Sequence, residues 1–247
     1  MAESKVLIAA AGAGSRAGLP YPKCLHPVLG RPILLRLFDL LTPIDPRPTV
    51  IVSPSGRGEI QRCLDGAGFD ADLVEQPQPT GMGDAVLCFR QAPRFAETEH
   101  LLLVWGDLPS IQPETVAALS HQHFAAGNDF TFVSRYVDEA YTIVERMPDG
   151  QIISLTETRE AGLNPKPGER DIGLFLFRKT PVFELLAANL PGARGRVTGE
   201  HGFLYIVRHM VEAGLKVEAL PIGTELDLVS LNRPSDLEAL NSNSGRS

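Results

Sequence analysis

The sequence predicts an α/β fold with a mainly parallel, mixed central sheet flanked by helices and a strand-rich C-terminal half. Short apolar runs alternate with segments of helical periodicity over the first half, the rhythm of βαβ units. From Asp129 onward that alternation gives way to strand after strand. The first element is the apolar run Val6–Ala11, short enough for a buried strand and bounded at once by glycine. Pro32 suits a first helical position, and the runs Ile33-Leu34-Leu35 and Leu37-Phe38 start an amphipathic helix over 33–41. Then come a strand at 48–52, a helix around 59–64, a strand at 72–75 and a helix over 83–90. His100–Trp105 is the most apolar strand and is expected at the centre of the sheet. A helix over 113–126 has Pro113 placed for its first turn and Gly127 for its C-terminal cap.

In the second half, 130–137, 141–146, 151–156 and 172–177 read as strands, the middle two joined through Pro148-Asp149-Gly150. The glycine- and proline-punctuated stretch 160–170 reads as a mobile loop. Helices are expected at 181–189, 202–213 and 234–240, strands at 217–221 and 226–231, and a frayed tail at 241–247. Neither an internal repeat nor a linker-like composition shift interrupts the chain, so 1–247 reads as one domain with two lobes, about 1–128 and about 129–240.

Composition narrows the function classes. Hydrophobic residues make up 43% and charged residues 21%, the balance of a globular protein with a sizeable core. No apolar run approaches the roughly 20 residues of a membrane span, and the N-terminus runs directly into a strand without a signal-peptide pattern. Cys24, Cys63 and Cys88 are scattered, as expected of reduced thiols in a cytoplasmic protein. A formal charge of −7 argues against a general nucleic-acid binder but not against a nucleotide, where a few local cations decide. The histidines carry no spacing of a zinc site, since His121 and His123 sit two apart on a helix and do not share a face.

The loop after the first strand holds the chemistry. Gly12, Gly14 and Gly18 let the backbone bring N–H groups close to an anion. Arg16 and Lys23 supply two cations, and Pro20 and Pro22 stiffen the approach to Lys23. A plain Gly/Pro-rich connection is one reading of this composition. A dinucleotide-binding turn is another, weakened because the third glycine falls a residue late and the next strand ends in Ser53-Pro54-Ser55 with no acid for a ribose. The third is a polyphosphate cradle. The run Ala9-Ala10-Ala11-Gly12-Ala13-Gly14-Ser15-Arg16, followed by Pro22-Lys23, resembles the signature of the sugar nucleotidyltransferases, and most of all the uridylyltransferase domain of N-acetylglucosamine-1-phosphate uridylyltransferase.

That resemblance implies a Rossmann-like nucleotidyltransferase domain, with 1–128 as the nucleotide-binding lobe and 129–240 as the sugar-phosphate lobe. It implies that Ala10, Ala11, Gly12, Ala13 and Gly14 cradle the nucleotide and that Arg16 and Lys23 are catalytic. Gln76, Gly81 and Gly83 keep the family's spacing for base recognition, with Met82 where the family has threonine. Asp107, in Trp105-Gly106-Asp107-Leu108-Pro109, matches the family's Mg²⁺-binding aspartate, and Asn232 matches its second metal ligand. Thr142, Glu157 and Asp171 fall where the family contacts the sugar, Asp171 replacing an asparagine and so only accepting hydrogen bonds. Gly199-Glu200 keeps the family's pair but loses the tyrosine and threonine beyond it. The implied reaction joins UTP and a sugar 1-phosphate into a UDP-sugar and pyrophosphate, with Mg²⁺ as cofactor and neither nucleic acid nor membrane as partner. A cytidylyltransferase acting on a phosphoalcohol or phosphonate shares the loop and the Gly-Asp, and a nucleotide-binding module without chemistry is the more distant alternative.

Overall fold

The computed structural model describes residues 4–12 and 18–231. The chain opens with β1 (Ser4–Ala9), makes a 3-10 turn at Lys23–Leu25, forms a small ribbon of β2 (Pro27–Val28) against β3 (Arg31–Pro32), and enters α1 (Ile33–Leu41). Next come β4 (Thr49–Val52), α2 (Arg57–Ala67), β5 (Asp72–Glu75), α3 (Met82–Cys88), β6 (His100–Trp105) and α4 (Pro113–Ala126). The second half supplies β7 (Phe130–Ala140), the hairpin β8 (Thr142–Arg146) and β9 (Ile152–Glu157), then β10 (Lys166–Arg178), α5 (Lys179–Ala187), α6 (Ile206–Glu212) and β11 (Val217–Leu220).

Seven strands join in one sheet in the order β11-β7-β10-β6-β1-β4-β5. All its pairings are parallel except those that β10 makes with β6 and β7. The apolar strands lie where expected, with β6 fourth of the seven. Side chains alternate across the pleat, so each strand feeds two cores. Val6 and Ile8 of β1 pack with α1, α2 and α4 on one face. Leu7 and Ala9 pack with α3, α5 and α6 on the other. Helix α1 buries Ile33, Leu34, Leu35, Leu37, Phe38 and Leu41, a broad apolar face at helical spacing. Helix α4 ends as read, Gly127 taking the left-handed conformation (φ 61°) that closes the last turn. Among the described residues no helix is long and apolar enough to cross a membrane.

Strand β1 pairs with β4 on one side and β6 on the other, so the chain reverses its direction of travel across the sheet between β1 and β6. In open α/β sheets a ligand crevice forms at the carboxyl ends flanking such a reversal. Residues 9–12 and 105–107 occupy that place.

Three local expectations are corrected. Residues 166–170 extend β10, because the long β7 offers Arg135, Tyr136, Val137 and Ala140 as ladder partners; only 160–165 remains loop. No strand forms at 226–231. There the buried Asp227 carboxylate accepts from the backbone N–H groups of Gln112 and Thr224 and the hydroxyls of Thr115 and Thr224, fixing turns instead of a ladder. Helix α6 starts only at Ile206, because His201 exchanges backbone hydrogen bonds with Thr80 and Gly83. The helix expected at 234–240 and the tail lie outside the described residues.

Candidate active site

The ends of β1 and β6 are held together at backbone level. The Gly106 N–H donates to the Ala9 carbonyl and the Ala10 N–H to the Ile51 carbonyl, both at 2.9 Å. A side chain at Gly106 would lie 2.9 Å from that Ala9 oxygen, so glycine is what allows the approach. Asp107 follows directly. Its Oδ2 accepts from Lys23 Nζ at 2.7 Å, joining residues 84 apart in the chain. Both side chains keep partial access to solvent, 20% for Lys23 and 16% for Asp107. Lys23 passes beside Gly12, whose added Cβ would sit 3.5 Å from Lys23 Cε. On the other side the Leu231 N–H donates to the Asp107 carbonyl at 3.1 Å. Cys24, next to Lys23, is buried, and burial chiefly pushes its thiol up to about 12, so it is held protonated.

The loop after β5 is fixed from inside. The Gln76 N–H donates to the Val52 carbonyl and its Nε2 to the Gly81 carbonyl, each at 2.9 Å. Gly81 has φ 116°, a conformation that side-chain-bearing residues rarely adopt. A Cβ there would meet the His201 carbonyl oxygen at 2.3 Å and its nitrogen at 2.6 Å. The obstruction is backbone, which cannot swing aside. Gly81→Ala is therefore expected to destabilise the fold by about 2–4 kcal/mol. Urea titration checks this, and an unchanged midpoint would mean that the loop and His201 can move apart.

On the other side of the crevice, Thr142 Oγ1 donates to Asp171 Oδ1 at 2.6 Å, and the Gly173 N–H donates to Asp171 Oδ2 at 2.9 Å. Both Thr142 and Asp171 are buried. Glu157 is the cross-strand partner of Thr142 in the β8–β9 hairpin. Burial, with Asp171 and Glu160 adding, raises the Glu157 carboxyl to about 7. Between its ordinary 4.5 and about 7 the folded chain therefore holds a proton that the unfolded chain has lost. The stability from this group is fully present below about 4.5 and is lost as the pH rises through about 7. Relative to Glu157→Gln, the wild type should lose about 2 kcal/mol between pH 5 and pH 8, measured by denaturant unfolding at the two values. A pH-independent difference would refute the raised value.

Ala11, Gly12, Gln76, Gly81, Met82 and Glu157 lie in the wall of a cavity of about 560 Å³. Residues 6–203 match the MobA-like NTP transferase domain. The chain belongs to that family. The chain is 27% identical over 236 residues to the bifunctional protein GlmU of Oleidesulfovibrio alaskensis, covering 94% of this chain and 50% of that protein. It is 29% identical over 231 residues to the GlmU of Pelotomaculum thermopropionicum, covering 92% and 49%. The chain thus spans about half the length of the curated relatives it matches. Among solved structures, a candidate glucose-1-phosphate thymidylyltransferase from Bacillus anthracis superposes with a TM-score of 0.78 at 17% identity, covering 99% of this chain and 96% of the other. The inositol-1-phosphate CTP transferase from T. maritima gives 0.72 at 17% identity, covering 100% and 98%. These likenesses bear out the mixed, mostly parallel α/β fold and the resemblance drawn from the motifs.

Of the expected site residues in this MobA-like domain, the structure groups Lys23 with Asp107, Gln76 with Gly81 and Met82, and Thr142 with Asp171 and Glu157. Ala13, Gly14, Arg16 and Asn232 lie outside the described residues. Tyr141 links the groups: burial raises its hydroxyl, against the pull of Arg170, and the Asp171 and Asp107 carboxylates both add. Its ring lies 3.6 Å under the Arg170 guanidinium. His201 was legible only as a histidine without metal spacing. Its Nδ1 pairs with Asp84 Oδ1 at 2.7 Å and its Nε2 with the Tyr205 hydroxyl at 3.1 Å, tying helix α3 to the segment entering α6. The only sequence signal for it was its place after Gly199-Glu200.

Proposed function

We propose that this protein transfers a nucleoside monophosphate from UTP to a sugar 1-phosphate, giving a UDP-sugar and pyrophosphate. The observation that supports this most is the Lys23–Asp107 pair at the β1/β6 reversal, beside a cavity bordered by Gln76 and Gly81. The acceptor phosphate is already ionised, so the step needs no general base. One of its oxygens bonds to the α-phosphorus in line as the bond to the bridging oxygen breaks, and pyrophosphate leaves with that electron pair. Catalysis is then positioning and neutralisation of charge. Lys23 neutralises the α-phosphate and the incoming phosphate, and Arg16 holds the β- and γ-phosphates. Backbone groups of Ala10, Ala11, Gly12, Ala13 and Gly14 cradle the triphosphate.

Gln76 supports uracil. With one Nε2 hydrogen given to the Gly81 carbonyl, its amide oxygen can accept the uracil ring N–H and its second Nε2 hydrogen can donate to a ring carbonyl. Met82 adds an apolar surface at the first turn of α3. Thr142, Glu157 and Asp171 form the acceptor end, where two carboxyl groups suit sugar hydroxyls. For the metal, Asp107 offers a hard carboxylate oxygen, and Asn232 follows Leu231, whose N–H is bound to the Asp107 carbonyl. That donor chemistry suits Mg²⁺, which would offset charge on the phosphates. Pyrophosphate release measured over UTP, dTTP, CTP, ATP and GTP, each with a set of sugar 1-phosphates, tests the reading. UTP should lead CTP by about 10-fold or more in kcat/KM; a preference for CTP would turn the assignment to a cytidylyltransferase.

A further inference from the structure

We infer that the acceptor carries a second anionic group besides the phosphate that reacts, and that arginines on the far wall of the cavity hold it. The inference rests on the nucleotidyl-transfer reading and narrows its acceptor.

Four arginines, Arg159, Arg194, Arg196 and Arg208, line this same cavity in a chain whose formal charge is −7. Their concentration there runs against the background charge. Arg194 and Arg196 project from a loop that is built rather than loose. The Glu160 carboxylate accepts from the backbone N–H groups of Val197 at 3.1 Å and Thr198 at 3.2 Å. It fills the space beside Gly195, where an added Cβ would lie 2.1 Å from Glu160 Oε2. The Gly195 N–H donates to the Glu200 carbonyl at 2.9 Å and the Gly202 N–H to the Ala193 carbonyl at 2.8 Å, closing the loop at its base.

The acids nearby leave two of these cations, Arg196 and Arg208, without an ion-pair partner among the described residues, although Glu160 and Glu200 share the cavity wall. Glu160 is engaged with backbone, and those N–H groups keep its carboxyl low against the effect of burial, so its work is to hold the loop. Glu157 carries its proton up to about neutral pH. Arg194 reaches Asp84 at 3.6 Å. Among the described residues neither Arg196 nor Arg208 stands within ion-pair distance of a carboxylate. Two guanidinium forks without an ion-pair partner, those of Arg196 and Arg208, at a cavity of about 560 Å³ suit a carboxylate or phosphate, which such forks bind through two parallel hydrogen bonds. Lys23 and Asp107, the reacting centre of the reading above, do not border this cavity wall, so the arginines serve a different part of the acceptor.

The test uses the intact protein with UTP and Mg²⁺. Pyrophosphate release is compared for hexose 1-phosphates in the gluco, galacto and manno series, for the uronic acid 1-phosphates and for the 1,6-bisphosphates. An acidic acceptor should exceed its neutral counterpart by about 10-fold or more in kcat/KM, the size of one or two charge-assisted hydrogen bonds; which acid wins separates carboxylate from phosphate. The Arg196→Gln/Arg208→Gln double variant should lose that preference through KM for the acidic acceptor, with KM for UTP within about two-fold. Equal use of neutral and acidic acceptors, or a double variant that keeps the preference, overturns the inference and leaves nucleotidyl transfer standing. A raised KM for UTP also overturns it, by moving the arginines to the triphosphate. No release from any triphosphate with any acceptor defeats the underlying reading, and this inference with it.

Discussion

Replacing Lys23 with alanine is expected to lower kcat about 10²–10³-fold, the size of effect seen when one preorganised charge-stabilising group is removed. The physical case starts from its neighbours. Lys23 Nζ is 2.7 Å from Asp107 and its stem passes against Gly12, so the ammonium is held between the end of β1 and the end of β6. In the proposed reaction, a charge fixed there before substrate arrives would need little reorganisation as negative charge moves from the α-phosphate to the leaving pyrophosphate. The fold should tolerate its loss. The pair is partly exposed, and such pairs contribute at most about 1 kcal/mol, so the melting temperature should move by no more than about 4 °C. Lys23→Arg restores charge but not the compact geometry of an ammonium and should recover only part of the rate. A variant within a few-fold of wild type, folded by circular dichroism, would remove Lys23 from the chemistry.

The parallel half of the sheet was legible because β1, β4 and β6 are buried on both faces and so read as unbroken apolar runs. Capping at Gly127 was legible because only the backbone conformation was at stake. Lys23 and Asp107 were named through motif spacing; nothing in local physics says that residues so far apart will touch. The unread parts share one cause. Glu160, Asp227 and Asp45 look in sequence like solvated acids or turn residues, and each instead binds backbone N–H groups from distant segments. A carboxylate's role depends on which amides the fold brings to it, and periodicity carries no record of that. The arginines at 194 and 196 were missed for the same reason, since their loop is shaped by Glu160, more than thirty residues earlier.

Asp45 carries the largest stability prediction. It sits in Pro43-Ile44-Asp45-Pro46 after α1 and is fully buried. Its Oδ2 accepts the Val6 N–H at 2.9 Å, at the edge where β1 begins, and its two oxygens take Arg94 Nη1 at 2.8 Å and Nη2 at 3.0 Å. Arg94 also lies 3.6 Å from Asp72 and reaches the Arg47 carbonyl, so one carboxylate joins β1, β5 and the approach to β6. Asp45→Ala strands a buried backbone donor and removes the carboxylate that holds Arg94 Nη1 and Nη2, and should cost about 3–5 kcal/mol, lowering the melting temperature by about 10 °C. Asp45→Asn keeps an acceptor for Val6 and should fall between. Desolvation offsets much of the attraction in a buried pair, so removing both partners in Asp45→Leu/Arg94→Met should cost less than the sum of the single changes, by about 2 kcal/mol or more. Additive losses would mean that the ion pair is incidental and that the Val6 hydrogen bond carries the effect alone. Because this network sits at the start of β1 and the Lys23–Asp107 pair at its end, kcat of the still-folded Asp45→Asn protein should stay within about two-fold of wild type, which separates what holds the strand from what uses it.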